Sequence, residues 1–190
     1  PNLTEDFYKP LQNVKEYQEF FQKEFFNIVF AGNIGEAQSF KTIIEAINNI
    51  KELQVKLIVL GDGRYKETAL SLIKEKGLQS HFNFLGSFPP TEMPKFFSHA
   101  DALFVSLKKD KIFSMTIPAK TQSYLACGKP IIASIDGEGA KIITYAKCGL
   151  VSPAEDSISL SKKIKELMAL DKSRHSKMGG NARSYYEKEF

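Results

Sequence analysis

The sequence predicts an α/β fold in which a doubly wound, parallel sheet of about six strands carries helices on both faces. Short and evenly apolar runs recur along the 190 residues, and helical patterns separate them. Runs of this kind are typical of strands that are buried on both faces. Alternation of strand and helix at this spacing implies right-handed crossovers between parallel strands.

The expected elements follow from these patterns in chain order. Strands are predicted at 27–31, 55–60, 82–85, 102–106, 130–134 and 149–151. Helices are predicted at 39–51, 64–76, 91–99, 117–127, 138–147, 156–170 and 173–188, with Asp156 or Ser157 capping the helix over 156–170. Residues 1–25 are expected to be a linker with a short amphipathic helix over 14–25, residues 26–170 the sheet domain, and residues 171–190 a C-terminal helix.

Composition and charge exclude several classes of protein. Hydrophobic residues make up 43% and charged residues 25% of the chain, as in a soluble globular domain. A net charge of +4 is too small to indicate nucleic-acid binding. Cys127 and Cys148 lie in apolar surroundings, so we expect reduced, buried thiols and a cytoplasmic protein. No apolar run approaches the ~20 residues of a membrane span. Because the chain opens on Pro1 rather than Met, we expect a piece of a longer protein.

One segment carries the strongest functional signal. Pro118 suits the first turn of a helix, and Gly128 suits the left-handed position just past a helix end. Lys120 then falls in the first turn, where unpaired N–H groups and the helix dipole already attract an anion. A lysine there disfavours an isolated helix and favours a bound phosphate. Such a local conflict is expected at a functional site.

Further candidate residues follow the first predicted strand, because ligands of doubly wound sheets bind at the carboxyl ends of the strands. Gly32 and Gly35 permit close approach of backbone N–H groups to a diphosphate, with Asn33 and Gln38 beside them. A plain tight turn explains the same residues equally well. The spacing is not Gly-x-Gly-x-x-Gly, so it does not indicate a nicotinamide site.

The next two loops also contain glycine. Gly61 and Asp62, after the second strand, indicate a turn first and a ligand contact second. Gly86, after the third strand, either lets the chain pass close to a flat base or opens a turn stiffened by prolines.

The last two loops carry charge. Lysines at 108, 109 and 111 predict a solvated run, with attraction of a sugar diphosphate or an acidic lipid as the minority interpretation. Asp136, Gly137 and Glu138 follow the fifth strand. The carboxylates of Asp136 and Glu138 either accept hydrogen bonds from sugar hydroxyls or cap the following helix.

The sequence lacks the residue patterns of a metal site and of a serine hydrolase. His81, His99 and His175 are scattered, without the spacing of metal ligands, and no Gly-x-Ser-x-Gly elbow occurs. We therefore expect neither a bound metal nor a cofactor, and no proton-transfer pair within the chain.

Five stretches, taken in order, resemble one family. They are 30–33, 61–63, 84–86, 125–133 and 149–151. Together they resemble the nucleotide-sugar-binding, C-terminal domain of group 1 glycosyltransferases, which are retaining enzymes of the GT-B fold, over about residues 26–187. The resemblance implies a Rossmann-like lobe that binds the donor. It also implies an acceptor-binding lobe that precedes Pro1, with the active site in the cleft between the two lobes.

The chain departs from the family's pattern at its charged positions. Asn33 stands where the family has a phosphate-binding arginine, and Gln38 where it has a lysine. The family's two glutamates, with seven residues between them, fall on Met115 and Ser123. The second of these glutamates usually holds the ribose, for which Ser123 offers a neutral hydrogen bond instead.

The resemblance is strongest to transferases of bacterial surface-polysaccharide assembly, including those that move N-acetylated deoxyamino sugars. It implies that Lys120 anchors the diphosphate and that Glu138, in the loop with Gly137, faces the donor sugar. Thr121, Gln122 and Ser123 are then donor contacts at the start of the helix.

The expected function is therefore glycosyl transfer from a nucleoside-diphosphate sugar, UDP-linked rather than GDP-linked, to a polysaccharide or lipid-linked acceptor. We expect this half of the enzyme to be inactive alone and to need no metal. Its lysine-rich surface is compatible with peripheral contact at the inner face of the plasma membrane. Two other functions stay open: a lobe of a nucleotide-sugar epimerase or hydrolase, and a non-catalytic nucleotide-binding module.

Overall fold

The computed structural model describes residues 7–190 and contains one six-stranded sheet. Its strands are β1 Phe26–Ala31, β2 Val55–Leu60, β3 Phe82–Gly86, β4 Ala102–Ser106, β5 Ile131–Ser134 and β6 Gly149–Ser152. All neighbours pair in parallel, in the order β3-β2-β1-β4-β5-β6. Strand order reverses between β1 and β4, which is the switch point of a doubly wound sheet. The predicted α/β fold is confirmed.

Helices connect the strands. They are α1 Phe40–Asn48, α2 Lys66–Glu75, α3 Met93–His99, α4 Lys111–Ser114, α5 Ala119–Ala126, α6 Glu138–Tyr145, α7 Ser157–Met168 and α8 Lys172–Glu189. The Asp156 carboxylate accepts a hydrogen bond from Ser159 N at 2.8 Å, so Asp156 caps α7 as predicted. The four-residue α4 was not predicted. It is too short to produce a helical period, and it lies in the stretch interpreted as a solvated lysine run.

Burial on both faces explains why the strands are evenly apolar. Ile28 and Phe30 of β1 belong to a core that includes residues of α1, α2 and α7, whereas Val29 belongs to a core with residues of α3, α5, α6 and α8. All three side chains are fully buried. A strand covered on both sides has no polar face, so the period-two alternation of a half-exposed strand is absent.

The helix predicted over 14–25 is wrong in extent, because only a three-residue 3₁₀ helix, Gln18–Phe20, forms there. Tyr17 has a φ of 66°, which interrupts any α-helix. Its ring stacks on Phe96 of α3 with centroids 4.0 Å apart, and its hydroxyl donates to Glu92 at 2.8 Å. Packing of aromatic rings on α3 therefore outweighs the local helical pattern. Residues 1–6 of the predicted linker lie outside the described residues.

Both cysteines are buried and unbridged, as predicted. Cys127 and Cys148 are free, and burial raises the pKa of each thiol to about 12. Both thiols therefore stay protonated at neutral pH.

The C-terminal helix α8 packs against α5, the helix that contains Lys120. Arg183 of α8 donates from Nη1 to the Ala126 carbonyl of α5 at 2.9 Å. Gly128 has a φ of 64°, which confirms the predicted left-handed residue after α5. A Cβ on Gly179 of α8 would collide with the Gly128 carbonyl oxygen, whereas a Cβ on Gly180 would meet nothing within 4 Å.

These two adjacent glycines form a matched pair for a stability measurement. Gly180→Ala is expected to raise the free energy of unfolding by about 1 kcal/mol, because alanine has the higher helix propensity. Gly179→Ala is expected to lower it by about 1–3 kcal/mol, because the new methyl overpacks the α5–α8 contact. Urea unfolding followed by circular dichroism measures both. Equal stabilisation by the two variants would contradict the close contact.

Candidate functional site

The carboxyl ends of the first three strands are joined through glycine backbone. Gly32 N donates to the Leu60 carbonyl at 2.8 Å, and Gly61 N donates to the Gly86 carbonyl at 2.7 Å. The φ values of Gly32, Gly61 and Gly86 are 138°, 139° and 80°, which residues other than glycine rarely adopt. A Cβ on Gly61 would collide with the Gly32 carbonyl oxygen. At the start of these three loops, backbone without side chains therefore faces the edge of the sheet where ligands of such sheets bind.

A cleft of about 380 Å³ opens beside these glycines. Its lining combines the backbone of Gly32 and Gly61 with the side chains of Tyr8, Phe88 and Met93. Aromatic and apolar side chains next to exposed backbone polar groups suit a flat heterocycle with a polar edge.

The β1–α1 loop is closed by its own side chains. Gly35 N donates to Gln38 Oε1 at 3.1 Å, and the Gln38 carbonyl accepts a hydrogen bond from Ser106 Oγ of β4. The Asn33 amide lies against Gly35 and Gly63, so a Cβ at either glycine would meet it. Gln38 therefore ties the loop across the switch point. Its role in ligand binding, like that of Asn33 and Gly35, stays a prediction.

Asp62 is engaged within its own turn. Its Oδ1 accepts a hydrogen bond from Gly63 N at 2.8 Å, and its Oδ2 lies 3.4 Å from Lys66 Nζ. The hydrogen bond from Gly63 and the Lys66 ammonium hold the pKa of this exposed carboxyl below its usual range. These partners favour the structural interpretation of Asp62, and a ligand contact stays a prediction.

Lys120 has an unusual position in the first turn of α5. Its Nζ is buried and has no hydrogen-bond partner among residues 7–190. The atom lies 3.8 Å from the centroid of the Phe30 ring and 3.0 Å from where a Cβ on Gly32 would be. Burial lowers the pKa of Lys120 from its ordinary 10.5 to about 7. A buried ammonium without a hydrogen-bond partner carries a desolvation cost, and a nearby anion is the kind of group that offsets such a cost.

The rest of α5 holds this lysine in place. The Tyr124 hydroxyl, fully buried, accepts a hydrogen bond from Ala31 N at 3.0 Å and so ties α5 to the end of β1. The Thr121 hydroxyl is also buried without a partner in the described part of the chain. Gln122 and Ser123 are half-buried on the same helix.

The β5–α6 loop packs against the segment that leads into α5. Gly137 has a φ of 75°, and a Cβ there would collide with the Ser114 carbonyl oxygen. A Cβ on Gly139 would lie 3.1 Å from Pro118 Cδ. Glu138 between them is exposed and forms an ion pair with Lys141 at 2.7 Å.

Asp136 of the same loop does not cap α6, because Gly137 is the N-cap residue and no side chain caps it; the Asp136 carboxylate has a different structural role. Its Oδ1 accepts a hydrogen bond from Ala154 N at 3.1 Å, which joins the loop to the end of β6. The structure thus brings three predicted elements to one edge of the sheet: the Gly32 turn, Lys120, and the loop of Glu138. A contact between any of these residues and a ligand stays a prediction.

The sequence did not single out four residues of this region: Phe30, Tyr8, Phe88 and Met93. An aromatic residue shortly before a glycine turn was the available signal for Phe30. No local signal placed Tyr8, which approaches the cleft through its stacking on Phe97. Phe88 lies after Gly86, in the stretch for which the sequence predicts either a close approach to a flat base or a turn stiffened by prolines.

The three histidines form hydrogen bonds with backbone carbonyl groups. His81, His99 and His175 each form a ring-nitrogen hydrogen bond with a carbonyl oxygen, at 2.8 Å in every case. Within the described range, no three His, Cys, Asp or Glu side chains are grouped as metal ligands. Across the same residues, the helices are all too short or too polar to cross a bilayer.

A doubly wound parallel sheet with glycine turns at the carboxyl ends of its strands defines a lobe of the Rossmann-like type. The family model of glycosyl transferases group 1 matches residues 13–185, and the chain belongs to that family.

Curated relatives are longer than this chain. A GDP-mannose-dependent alpha-(1-6)-phosphatidylinositol monomannoside mannosyltransferase of Mycobacterium tuberculosis is 26% identical over 149 residues, which are 76% of this chain and 38% of the relative. An N-acetyl-alpha-D-glucosaminyl L-malate synthase of Bacillus anthracis is 24% identical over 162 residues, 84% of this chain and 40% of the relative. The chain thus spans about two fifths of their length.

Solved structures confirm the fold. Anabaena Alr3699/HepE, solved with UDP and glucose, matches with a TM-score of 0.83 at 18% identity, over 97% of this chain and half of its own. The C-terminal domain of the group 1 protein LpcC from Francisella tularensis matches with a TM-score of 0.76 at 19% identity, over 96% of this chain and 95% of that domain. The lobe is therefore one half of the GT-B architecture.

Burial of the Lys120 ammonium predicts a pH-dependent stability. Because folding lowers this pKa to about 7, the unfolded chain binds more protons between about pH 7 and 10.5, and stability rises with pH across that window. The cost of burying the charge is fully present below pH 7. Lys120→Met is therefore expected to be more stable than the wild type near pH 6.5, by about 1–4 kcal/mol, and the difference should shrink towards pH 10.

Urea unfolding at a series of pH values tests this, with the exposed Lys162→Met as control. A difference between Lys120→Met and the wild type that does not change with pH would show that the ammonium is hydrated or paired in solution.

Proposed function

We propose that this chain is the donor-binding lobe of a glycosyltransferase that moves a sugar from a nucleoside-diphosphate sugar to an acceptor. One observation carries the proposal beyond family membership: at the start of α5, beside the Gly32 turn, the Lys120 ammonium is buried and has no hydrogen-bond partner in the described part of the chain. Backbone N–H groups at a helix start and a cation at the same point suit a diphosphate.

The proposed chemistry follows from where charge develops. As the bond between sugar and diphosphate breaks, negative charge grows on the leaving diphosphate. Lys120, the first N–H groups of α5 and the Gly32–Gly35 loop would stabilise that charge in place, which is usually a large catalytic contribution. A bound diphosphate would also keep Lys120 protonated, because a nearby anion favours the charged form. These groups supply the positive charge that the leaving group needs, so we propose transfer without a metal.

The base is proposed to be uracil. The cleft lined by Tyr8, Phe88 and Met93 is mostly apolar and lies beside Gly61 and Gly32, as a flat base requires. Alr3699/HepE, solved with UDP, supports this choice through its fold. GDP is the second candidate, because the Mycobacterium tuberculosis relative is named GDP-mannose-dependent.

The sugar is proposed to lie towards Glu138 and Gly137, whose loop borders the segment entering α5. An N-acetylated sugar is proposed, in line with the name of the Bacillus anthracis relative. The acceptor, a saccharide or a lipid-linked saccharide, would meet this lobe across a cleft formed with a second, acceptor-binding lobe. We place the reaction in the cytoplasm, with a peripheral membrane contact where the acceptor is lipid-linked.

Calorimetric titration with UDP, UMP, GDP and their sugars tests donor binding on this chain. Lys120→Gln is expected to weaken UDP binding by about 10- to 100-fold, since a charge-assisted phosphate contact is lost, and to affect UMP much less. Lys162→Gln, on the exposed face of α7, is the control. A Lys120→Gln variant that still prefers UDP over UMP as the wild type does would place the diphosphate elsewhere. No binding of any nucleotide would instead favour a scaffolding module.

Glu138→Gln tests the sugar-facing role in a protein that carries both lobes. Loss of a charged acceptor is expected to reduce kcat by about 10- to 100-fold while UDP affinity stays unchanged. Lys141→Met, which removes only the exposed ion-pair partner, is expected to change kcat by less than about threefold. Equal effects of the two variants would argue against a sugar contact. Donor incubated without acceptor separates transfer from epimerisation, because an epimerase converts the sugar alone.

A further inference from the structure

The aromatic face under Lys120 stands out among the contacts of the candidate site. Lys120 Nζ lies over the Phe30 ring, 3.8 Å from its centroid, which is within cation–π range. The Phe30 ring is itself fixed, because it is fully buried and packs edge-on against Phe40 with centroids 4.8 Å apart. The ammonium therefore rests on a rigid surface.

Three carboxylates near this edge of the sheet, which could otherwise attract the Lys120 ammonium, are paired with other lysines. Glu36, on the β1–α1 loop, pairs with Lys108 at 3.3 Å, and Asp62, on the β2–α2 loop, pairs with Lys66. Glu138 of the β5–α6 loop pairs with Lys141. On α5 itself, the titratable Tyr124 directs its hydroxyl to Ala31 N. Desolvation by burial is the cause of the shifted Lys120 pKa, and no carboxylate among residues 7–190 offsets it.

We propose that Phe30 is a positioning residue of the donor site: the face of its ring holds the Lys120 ammonium beside Gly32, where an arriving diphosphate meets it. The ligand in this statement rests on the proposed function. A carboxylate at this place would compete with the diphosphate for the ammonium. An aromatic ring attracts the cation without carrying a net charge, so the ammonium is held in position and still available.

A consequence is that the ring also sets how readily Lys120 is charged. The electron-rich ring face stabilises the ammonium and raises its pKa, against the lowering by desolvation. A weaker ring face would leave more neutral amine near neutral pH, and the diphosphate would have to bind together with a proton.

Fluorination at position 30 separates this electrostatic role from packing. A trifluorinated phenylalanine keeps the size of the ring nearly unchanged and removes the negative charge from its face. It is introduced site-specifically into the chain, and the Lys120 side chain is titrated by NMR with labelled lysine, its signal assigned by its loss in Lys120→Met. We expect the pKa of Lys120 to fall below its value of about 7. UDP binding is expected to weaken by about three- to tenfold near pH 8, and by less than about twofold near pH 6.

The same substitution at Phe104 is the matched control. Phe104 is equally buried and lies 6.4 Å from Phe30 between ring centroids, on the neighbouring strand β4. Fluorination there is expected to leave both the Lys120 titration and the pH profile of UDP binding unchanged. The proposal is overturned if fluorination at 30 leaves the Lys120 titration unmoved, or if fluorination at 104 moves it as much.

The two proposals fail in different ways. If the unmodified chain binds no nucleoside diphosphate at any pH, the proposed function falls, and the positioning role with it, even where the Lys120 titration responds to the ring. If UDP binds and Lys120→Gln weakens it while the fluorinated ring has no effect, the proposed function stands and the role of Phe30 falls.

Discussion

The close approach of backbone at Gly32 and Gly61 is the constraint on which the candidate site depends. The carbonyl oxygen of the first occupies the space that any Cβ on the second would need. Side chains are therefore excluded from the ends of β1 and β2, and peptide groups face the edge of the sheet. The turn also leaves room for the Lys120 ammonium, which lies 3.0 Å from where a Cβ on Gly32 would be. Backbone geometry and charge thus meet at one point.

Burying an ammonium without a hydrogen-bonding partner is costly, so the surrounding structure must hold it there. The Tyr124 hydroxyl ties α5 to Ala31 N, the Phe30 ring lies under the charge, and α8 packs on α5 through Gly179 and Arg183. The contacts of Tyr124, Gly179 and Arg183 hold the body and the end of α5 against β1 and α8, and the Phe30 ring lies against the Lys120 side chain in its first turn. The burial of this charge is a local instability at the sheet edge, of the kind that proteins tolerate at functional sites.

The loop between β1 and α1 carries two neutral side chains where the sequence resemblance implies basic ones. They are Asn33 and Gln38. Here Gln38 closes its own loop by accepting from Gly35 N, and Asn33 packs between two glycine turns. Neither brings positive charge to the turn. Lys120 reaches the turn from α5, so the cation approaches the same backbone from another element of the fold.

The sequence by itself determined the doubly wound sheet, six strands to within a residue or two, the left-handed Gly128 that follows α5, and the lysine in the first turn of that helix. These follow from local periodicity and from residues with restricted backbone geometry, which a linear pattern records. Only the tertiary structure decided what surrounds Lys120, why residues 14–25 are not an α-helix, and which carboxylates are already paired. Those outcomes depend on contacts between residues far apart in the chain, such as Phe30 with Lys120 and Tyr17 with Phe96, and no local period encodes such contacts.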